Sequence, residues 1–388
     1  MNLFIRNETQ KEWLRRLNEK QTVFKNKADR IDELAIFPTE NVLELIDMGY
    51  TRSTLSKTYG GEGLKIYDMV LLQETLASFD ASTALSIGWH LSVVGEIFEK
   101  KHWTTSDLDF IAGEVVKGAL INRAASEAQT GSPTRGGRPE TKAVKKGEHW
   151  IISGRKIFTT LSPVLTYFLV SAWIEEQQTI GYFLLHKDLE GLQIEETWDT
   201  ISLRGTGSHD LVLEQVVVNH NKLVELNNLP SGKELNGWLL HIPACYLGIA
   251  QAARDYALQF ANQYSPNSIS GPISQLSNVQ HLIGEMDLEL MKARHFLYSV
   301  AEAYDDVTRR DYLSTELGAA KHAVTNSAIT IVDKAMRLVG IKSLHRNNPL
   351  QRYYRDVRAG LHNPPMDNVT LQKIALAAIE QEKAKVAT

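Results

Sequence analysis

The middle of the chain reads TYFLVSAWIEEQQTIGYFLLH at residues 166–186, which is two strand patterns with no helical segment between them. Residues 166–174 and 179–186 are rich in β-branched and aromatic side chains, and HDLVLEQVVVN at residues 209–219 repeats the pattern. Glycine-rich turns such as TRGGRP, residues 134–139, separate such segments. Strands without intervening helices favour an antiparallel sheet, barrel or sandwich over a parallel sheet.

The segments on both sides of this β region predict helices. Residues 69–78 (MVLLQETLAS) and 82–101 carry apolar side chains at helical spacing. Downstream, four long segments with an apolar stripe predict a helical bundle, at residues 235–264, 278–304, 312–339 and 369–386. The predicted fold class is therefore α+β, with an N-terminal all-α domain, a middle antiparallel β domain and a C-terminal four-helix bundle, at residues 1–118, 119–226 and 227–388.

The composition is typical of a globular protein, with 388 residues, 43% hydrophobic residues and a formal net charge of −4. A near-neutral charge without basic runs argues against nucleic acid as a main partner. Cys245 is the only cysteine, which excludes an intrachain disulfide and a cysteine-based metal site, and the helical histidines have no second ligand at i+4 spacing. The charged N-terminus does not resemble a signal peptide, and no apolar run reaches about 18 residues. We therefore expect a cytoplasmic protein with no metal site and no membrane span.

Seven short motifs follow one another along the chain: YGGEGL at residues 59–64, FDASTALSIGWH at 79–90, SEAQTGS at 126–132, ISGRKIFTT at 152–160, LRGTGSHDLVLEQVVV at 203–218, LGIAQAARDYA at 247–257 and RYYRDVR at 352–358. In this order, over residues 59–378, they resemble the acyl-CoA dehydrogenase superfamily of flavoproteins. The resemblance implies that family's architecture and a homotetramer, or a dimer at least. It also implies FAD, or alternatively FMN, between the β domain and the bundle.

The resemblance assigns a role in cofactor binding to two of these motifs. SEAQTGS is similar to the family's flavin-binding loop T-E-P-x-x-G-S, and KIFTT is similar to K-x-W-I-T, whose aromatic residue packs on the flavin. Donors near N1 and C2=O would stabilise the charge of a reduced flavin. Read only as local sequence, the same residues are turn and core positions. The implied cofactor contacts are Ser126, Gly131, Ser132, Phe158, Thr159 and Thr160.

The sequence departs from the family at the catalytic base. Most members remove the substrate's α-proton with a Glu at the tenth position when an Arg is counted as the first, and the same count from Arg355 reaches Pro364. A minority place the base at the start of the first bundle helix, which is Trp238 here. Neither position has a carboxylate, so Asp367 or His362 would have to serve. Trp238 remains a candidate to line the substrate cavity.

A second departure concerns the FAD diphosphate. The stretch PNSISGPIS, residues 266–274, has no cation where the family has R-K-x-F-G, and RLVGIKS, residues 337–343, keeps one glycine of Q-x-x-G-G-x-G. The loss of a bidentate cation is not conservative, and Arg337 or Lys342 would have to compensate. His90, on the predicted helix at residues 82–101, is a further candidate to line the substrate cavity.

Both departures resemble the flavin monooxygenase branch of the superfamily, which lacks the catalytic Glu and often takes reduced FMN or FAD from a separate reductase. LHNPP, residues 361–365, is similar to that branch's L-H-D-P segment. This match implies that His362 would hydrogen-bond the flavin hydroperoxide or assist proton transfer, for which an imidazole is suited.

Three functions follow from the resemblance. The first is oxidation of the Cα–Cβ bond of an acyl-CoA in fatty acid metabolism, with hydride transfer to flavin N5 and electrons passed to an electron-transferring flavoprotein. The second is a two-component monooxygenase, which takes reduced flavin from a flavin reductase and adds oxygen to an apolar aromatic or sulfur substrate. The third is a degenerate homologue that serves as a scaffold.

Overall fold

In a computed structural model of the chain, residues 2–131, 137–227 and 235–386 are described. The N-terminal region is helical, as predicted, with α1 (Glu8–Leu34), α2 (Thr39–Asp47), α3 (Ile66–Ala77), α4 (Ala81–Lys100) and α5 (Thr105–Val116). The central pair, α3 and α4, is buried on almost every side. The side chain of Asp80 caps α4 by accepting a hydrogen bond from the backbone N–H of Ser82. No described helix is long and apolar enough to cross a membrane.

The middle region is a sheet of eight strands: β1 (Ile121–Ala124), β2 (Lys142–Lys146), β3 (His149–Thr159), β4 (Tyr167–Ile174), β5 (Thr179–His186), β6 (Leu192–Glu195), β7 (His209–Asn219) and β8 (Leu223–Asn227). The strand order is β6-β7-β3-β2-β4-β5-β8, with β1 beside β4. Most neighbouring pairs are antiparallel, which confirms the predicted class of sheet. The pairing of β1 with β4 is parallel, as is a single contact of β2 with β4.

The C-terminal region contains α6 (His241–Gln263), α7 (Ser277–Asp305), α8 (Glu316–Val339), α9 (Pro349–Asp356) and α10 (Asp367–Val386). The four long predicted helices are α6, α7, α8 and α10. The first starts six residues later than predicted, because residues 237–240 form a 3-10 turn capped by the side chain of Asn236. One buried cluster extends from α1 through α3 and α4 to the sheet and the bundle. The division at residues 118 and 226 therefore remains a proposal.

Helix α6 lies against both α3 and α4. A Cβ on Gly248 would come within 2.3 Å of the backbone oxygen of Glu74, so only glycine permits this approach of α6 to α3. The carboxylate of Glu74 is fully buried and accepts hydrogen bonds from the guanidinium of Arg294 on α7 (Nε at 2.9 Å) and from the hydroxyl of Tyr298 (2.7 Å). This buried ion pair fixes α3 to α7.

His241, the first residue of α6, is fully buried, and neither ring nitrogen has a hydrogen-bond partner among the described residues. Burial lowers the pKa of His241 from 6.5 to about 3, so the folded protein holds the ring neutral. As the pH falls, the unfolded chain therefore binds this proton first. The resulting stability is complete above about pH 6.5 and decreases progressively towards pH 3.

We expect His241→Leu to reduce the acid sensitivity of the fold. Between pH 8 and pH 5, the parent's free energy of unfolding should fall by about 2 kcal/mol more than that of the variant. Urea unfolding at the two pH values measures this difference, with His281→Leu as the control at an exposed ring. An equal decrease in the free energy of unfolding of the parent and of His241→Leu would contradict the prediction that His241 is buried in its neutral form.

Candidate functional site

The end of β3 presents an aromatic ring on a strained backbone. Phe158 has φ +57°, a region that bulky side chains rarely occupy, and its side chain is 61% exposed. The ring makes an edge contact with Trp198, with centroids 6.1 Å apart. A strained backbone that keeps the apolar ring of Phe158 exposed to solvent indicates a role in binding rather than in packing.

The segment after β1 runs beside this strand end. The carbonyl of Ser126 accepts a hydrogen bond from the backbone N–H of Ile157 at 2.9 Å, which places Ser126 next to Phe158. Glu127 and Gly131 exchange two backbone hydrogen bonds of 3.0 Å, and Gly131 has φ +68°, so the chain turns back tightly here. Ser132 lies outside the described residues.

A buried ion pair lies beneath this loop. The Glu127 carboxylate accepts from Nζ of Lys156 at 2.5 Å, and both side chains are at most 3% exposed. Burial opposes ionisation of Glu127, but the hydrogen bonds from Lys156 and Thr141 outweigh it and lower the pKa of the carboxyl to about 2. Burial also lowers the pKa of Lys156, to about 8. The salt bridge therefore keeps a carboxylate ionised inside the β region.

Residues 203–208 form hydrogen bonds both with the residue that follows β3 and with the bundle. The hydroxyls of Thr160 and Ser208 are 2.9 Å apart, and Ser208 is in turn 2.9 Å from the hydroxyl of Thr206. At the other end of this segment, the backbone N–H of Leu203 donates to the carboxylate of Asp356 on α9 at 2.7 Å. One short loop thus forms hydrogen bonds at the end of β3, which carries Phe158, and on α9, which precedes residues 361–365.

Residues 357–361 form a 3-10 turn after α9, and the chain then exposes His362. The neighbouring Asn363 accepts a short hydrogen bond from the hydroxyl of Tyr246, which projects from α6. Thr159 is fully buried, and its hydroxyl has no partner among the described residues. Phe158, Thr159 and Thr160 thus lie at the end of β3, and His362 lies in the segment that follows α9.

Comparison with known proteins identifies the family. The acyl-CoA dehydrogenase profiles match in chain order, the N-terminal domain at residues 7–100, the middle domain at 122–216 and the C-terminal domain at 234–361. A Bacillus subtilis (strain 168) protein named "Putative acyl-CoA dehydrogenase YdbM" is 60% identical over 380 residues, which is 98% of this chain and 100% of that protein. The chain belongs to the acyl-CoA dehydrogenase family.

Several solved structures share this fold. Butyryl-CoA dehydrogenase from Megasphaera elsdenii matches with a TM-score of 0.85 and 20% identity, over 97% of this chain and 99% of that one. Methanesulfinate monooxygenase MsuC from Pseudomonas fluorescens matches with a TM-score of 0.83 and 20% identity, over 95% and 97%. FMN-bound TdsC from Paenibacillus sp. A11-2 matches with a TM-score of 0.82 and 20% identity, over 94% and 95%. At this level of identity the likeness concerns the fold.

The described residues of this acyl-CoA dehydrogenase family member fit the ring system of a flavin better than its diphosphate. The exposed, strained ring of Phe158 suits a flat aromatic ligand, with Ser126 beside it. Farther along the bundle is an open groove of about 600 Å³ lined by Arg337, but that guanidinium is already bonded to Asp333. Nζ of Lys342 lies over the ring of Tyr264 at 3.9 Å. Arg337 and Lys342, the two candidate cations for the diphosphate, therefore each already have another partner.

The structure places His90 and Trp238 in the core. His90 is fully buried, with Nε2 at 2.8 Å from the carbonyl of Thr51 and Nδ1 accepting from the N–H of Ile121 at 3.0 Å, and burial lowers its pKa to about 4. Its nitrogens have no capacity left for a substrate. The indole N–H of Trp238 donates to Glu99 at 2.8 Å, and the ring packs over Gly95 of α4. These contacts favour a role in the core for both residues, and their assignment to the substrate cavity stays a prediction.

Asp367, the first residue of α10, is held by α8. Its carboxylate accepts from the amide of Asn326 at 2.9 Å and lies 3.2 Å from Nδ1 of His322. Burial opposes ionisation, but these contacts lower the pKa of Asp367 overall. Its assignment as a base stays a prediction, and its geometry favours a helix anchor. Among the described residues, no three His, Cys, Asp or Glu side chains are grouped to hold a metal ion.

The sequence analysis missed the Glu127–Lys156 pair, although both residues lie in motifs that it quoted. A signal was available in β3, because Trp150, Ile152 and Lys156 share one face at a period of two residues. A lysine on the buried face of a strand requires an acidic partner. Sequence alone could not supply the partner, since Glu127 is 29 residues away.

Proposed function

We propose that this chain is a flavin-dependent oxidoreductase that transfers oxygen to an apolar aromatic or sulfur substrate. The observation that carries the proposal is the state of the carboxylates around residues 355–367, the segment where most of the family has its catalytic base. Asp356 is buried and bonded to the N–H of Leu203, and Asp367 is bonded to α8, whereas His362 is exposed. Oxygen transfer needs no base for an α-proton.

In this mechanism the bound flavin, supplied in reduced form by a separate reductase, provides the electrons that activate O₂. Phe158 would pack against the ring system, and Ser126 and Thr160 would orient it by hydrogen bonds. The loop from Leu203 to Ser208 holds Thr160 in place relative to the bundle. His362 would supply a proton to the oxygen atom of O₂ that is not transferred and departs as water, and it would recover a proton from the solvent.

A second function is favoured by the relative that is 60% identical and carries an acyl-CoA dehydrogenase name. In this alternative, the chain oxidises the Cα–Cβ bond of an acyl-CoA and passes electrons to an electron-transferring flavoprotein. His362 or Asp367 then acts as the base. General-base loss without a substitute costs about 10²- to 10⁴-fold in rate, so one of the two would be indispensable.

An anaerobic titration separates the two functions. The protein is first titrated with FMN and with FAD, which tests flavin binding directly and shows which flavin is preferred. A panel of saturated acyl-CoAs is then added, and the absorbance of the oxidised flavin is followed. Bleaching by one chain-length class would establish the dehydrogenase and overturn oxygen transfer. No bleaching, followed by oxygen incorporation into an aromatic or sulfur substrate with a flavin reductase and NADH, would support oxygen transfer.

We also propose that the chain forms a homo-oligomer, up to the tetramer implied by its family. Helix α10 touches α8 near its start, but residues 371–385 are exposed or half-exposed. Large apolar side chains lie along this part, including Leu371, Leu376 and Ile379, each at least half exposed. A lone helix of this length is marginal in water, so a second copy packed against α10 would account for its stability.

We expect the paired substitution Leu376→Glu and Ile379→Glu to reduce the oligomer, because it would bury two charges in the proposed contact. Sedimentation-velocity ultracentrifugation measures the mass distribution at fixed concentration. Val307→Glu is the control, since Val307 is also exposed but lies beyond the end of α7. A parent that sediments as a monomer, or a variant that keeps the parent's mass, would refute the contact.

A further inference from the structure

We infer that the buried Glu127–Lys156 ion pair is a positioning device, which sets Ser126 and Phe158 at a fixed separation so that both can contact the flavin. This inference rests on the flavin binding proposed above. Neither side chain of the pair is exposed enough to touch a ligand itself. Both therefore act through their neighbours in the chain.

The Glu127 carboxylate joins four parts of the β region. Oε1 accepts from Lys156 at 2.5 Å and from the hydroxyl and backbone N–H of Thr141 at 2.7 and 3.1 Å. Oε2 accepts from the N–H of Glu140 at 2.6 Å and from the hydroxyl of Thr130 at 2.9 Å. The segment after β1, its tight turn, the entry to β2 and the middle of β3 thus meet at one group.

Lys156 extends the connection to a further strand. Its Nζ also donates to the hydroxyl of Ser171 on β4 at 3.1 Å, and Ser171 lies 3.5 Å from the carbonyl of Ala125. Ser126 immediately precedes Glu127, and Phe158 follows Lys156 by two residues. The Ser126 carbonyl accepts a hydrogen bond from the N–H of Ile157. One ion pair and one backbone hydrogen bond therefore fix the positions of Ser126 and Phe158 relative to each other.

Stability alone is a poor explanation for this pair. A buried ion pair costs so much desolvation that apolar residues of similar volume are often equally stabilising. What an apolar pair could not do is bind Thr130, Glu140 and Thr141 at the same time. The ionised carboxylate imposes one arrangement on the segment after β1, its turn, the entry to β2 and β3, and the site requires this arrangement.

The test compares flavin binding in folded variants. We expect Glu127→Gln to raise the Kd for FMN or FAD by about 10- to 100-fold, the loss typical at metal sites when a ligand's supporting partner is removed. Thr141→Val removes only one hydroxyl bond to the carboxylate and should give a smaller increase with the same sign. Lys156→Arg keeps the charge and should recover more affinity than Lys156→Met. The visible absorption and circular dichroism of the bound flavin should change in the variants that bind weakly.

Glu175→Gln is the matched control, because Glu175, which follows β4, forms an exposed ion pair with Arg138, and the variant should leave the Kd unchanged. Near-ultraviolet circular dichroism establishes that each variant is folded. If Glu127→Gln does not fold, Thr141→Val takes its place in the test. A parent that binds neither flavin would overturn the proposed function itself. A parent that binds, together with folded variants of parental Kd and spectrum, would overturn the positioning role alone.

Discussion

Replacement of His362 by Ala is expected to lower turnover by about 10²- to 10⁴-fold while leaving flavin affinity unchanged. The reason is geometric: His362 is an exposed imidazole in the segment where the family has its base, and the carboxylates nearest in sequence are engaged elsewhere. The loss should appear in kcat more than in KM, because proton transfer occurs only on the way to the transition state. The assay is oxygen transfer with a flavin reductase, or flavin bleaching if the parent oxidises acyl-CoA.

The control for this variant is His281→Ala, an exposed histidine on α7, which should keep the parent's turnover. Added imidazole should restore part of the activity of His362→Ala, since the free base can replace a missing proton carrier. Turnover of His362→Ala equal to that of the parent would remove His362 from the chemistry. The same variant with lost flavin binding would indicate a binding role in place of a proton-transfer role.

Replacement of Arg294 by Met is expected to lower the free energy of unfolding by about 3–5 kcal/mol. Glu74 is fully buried, and in the variant its carboxylate keeps only the hydroxyl of Tyr298. A buried carboxylate without its cation either takes up a proton or weakens the packing of α3 against α7. Urea unfolding at one fixed protein concentration measures the effect, because any oligomer makes stability depend on concentration.

Two further variants make this test specific for the buried pair. Lys292→Met breaks an exposed ion pair with Glu289 on the same helix and should cost about 1 kcal/mol or less. The double variant Glu74→Met with Arg294→Met removes both charges and should recover most of the stability lost in Arg294→Met. A single variant as stable as the parent would mean that the pair does not join α3 to α7.

Most strands and helices could be read from local patterns. Strand β5 has the predicted bounds of residues 179–186, and β7 has the predicted bounds of residues 209–219, because their alternation and β-branched content arise within a few residues. Strand β1 was not predicted, since INRA at residues 121–124 contains an Asn and an Arg in only four positions. Only its parallel pairing with β4, which no local pattern encodes, makes this segment a strand.

The site shows the same division. The motifs in the sequence selected Ser126, Phe158 and Thr160 as candidate cofactor contacts, since each belongs to a short contiguous segment that resembles its family, and this assignment stays a prediction. The hydrogen-bond partners of His90 and Trp238 could not be read from the sequence, because they lie far away in the chain. A histidine on a helix looks identical in sequence whether it faces a cavity or bonds to two backbone groups.

The order of side chains along the chain was therefore enough to establish the α–β–α architecture, the family and the departure from the family's catalytic base. These features depend on periodicity and on residue identity, both of which are local. Tertiary structure alone established that Lys156 is neutralised by Glu127, that Asp356 is bonded to Leu203, and that His362 remains exposed. The physical reason is that burial and electrostatic partnership depend on segments tens to hundreds of residues apart, and these meet only when the chain is folded.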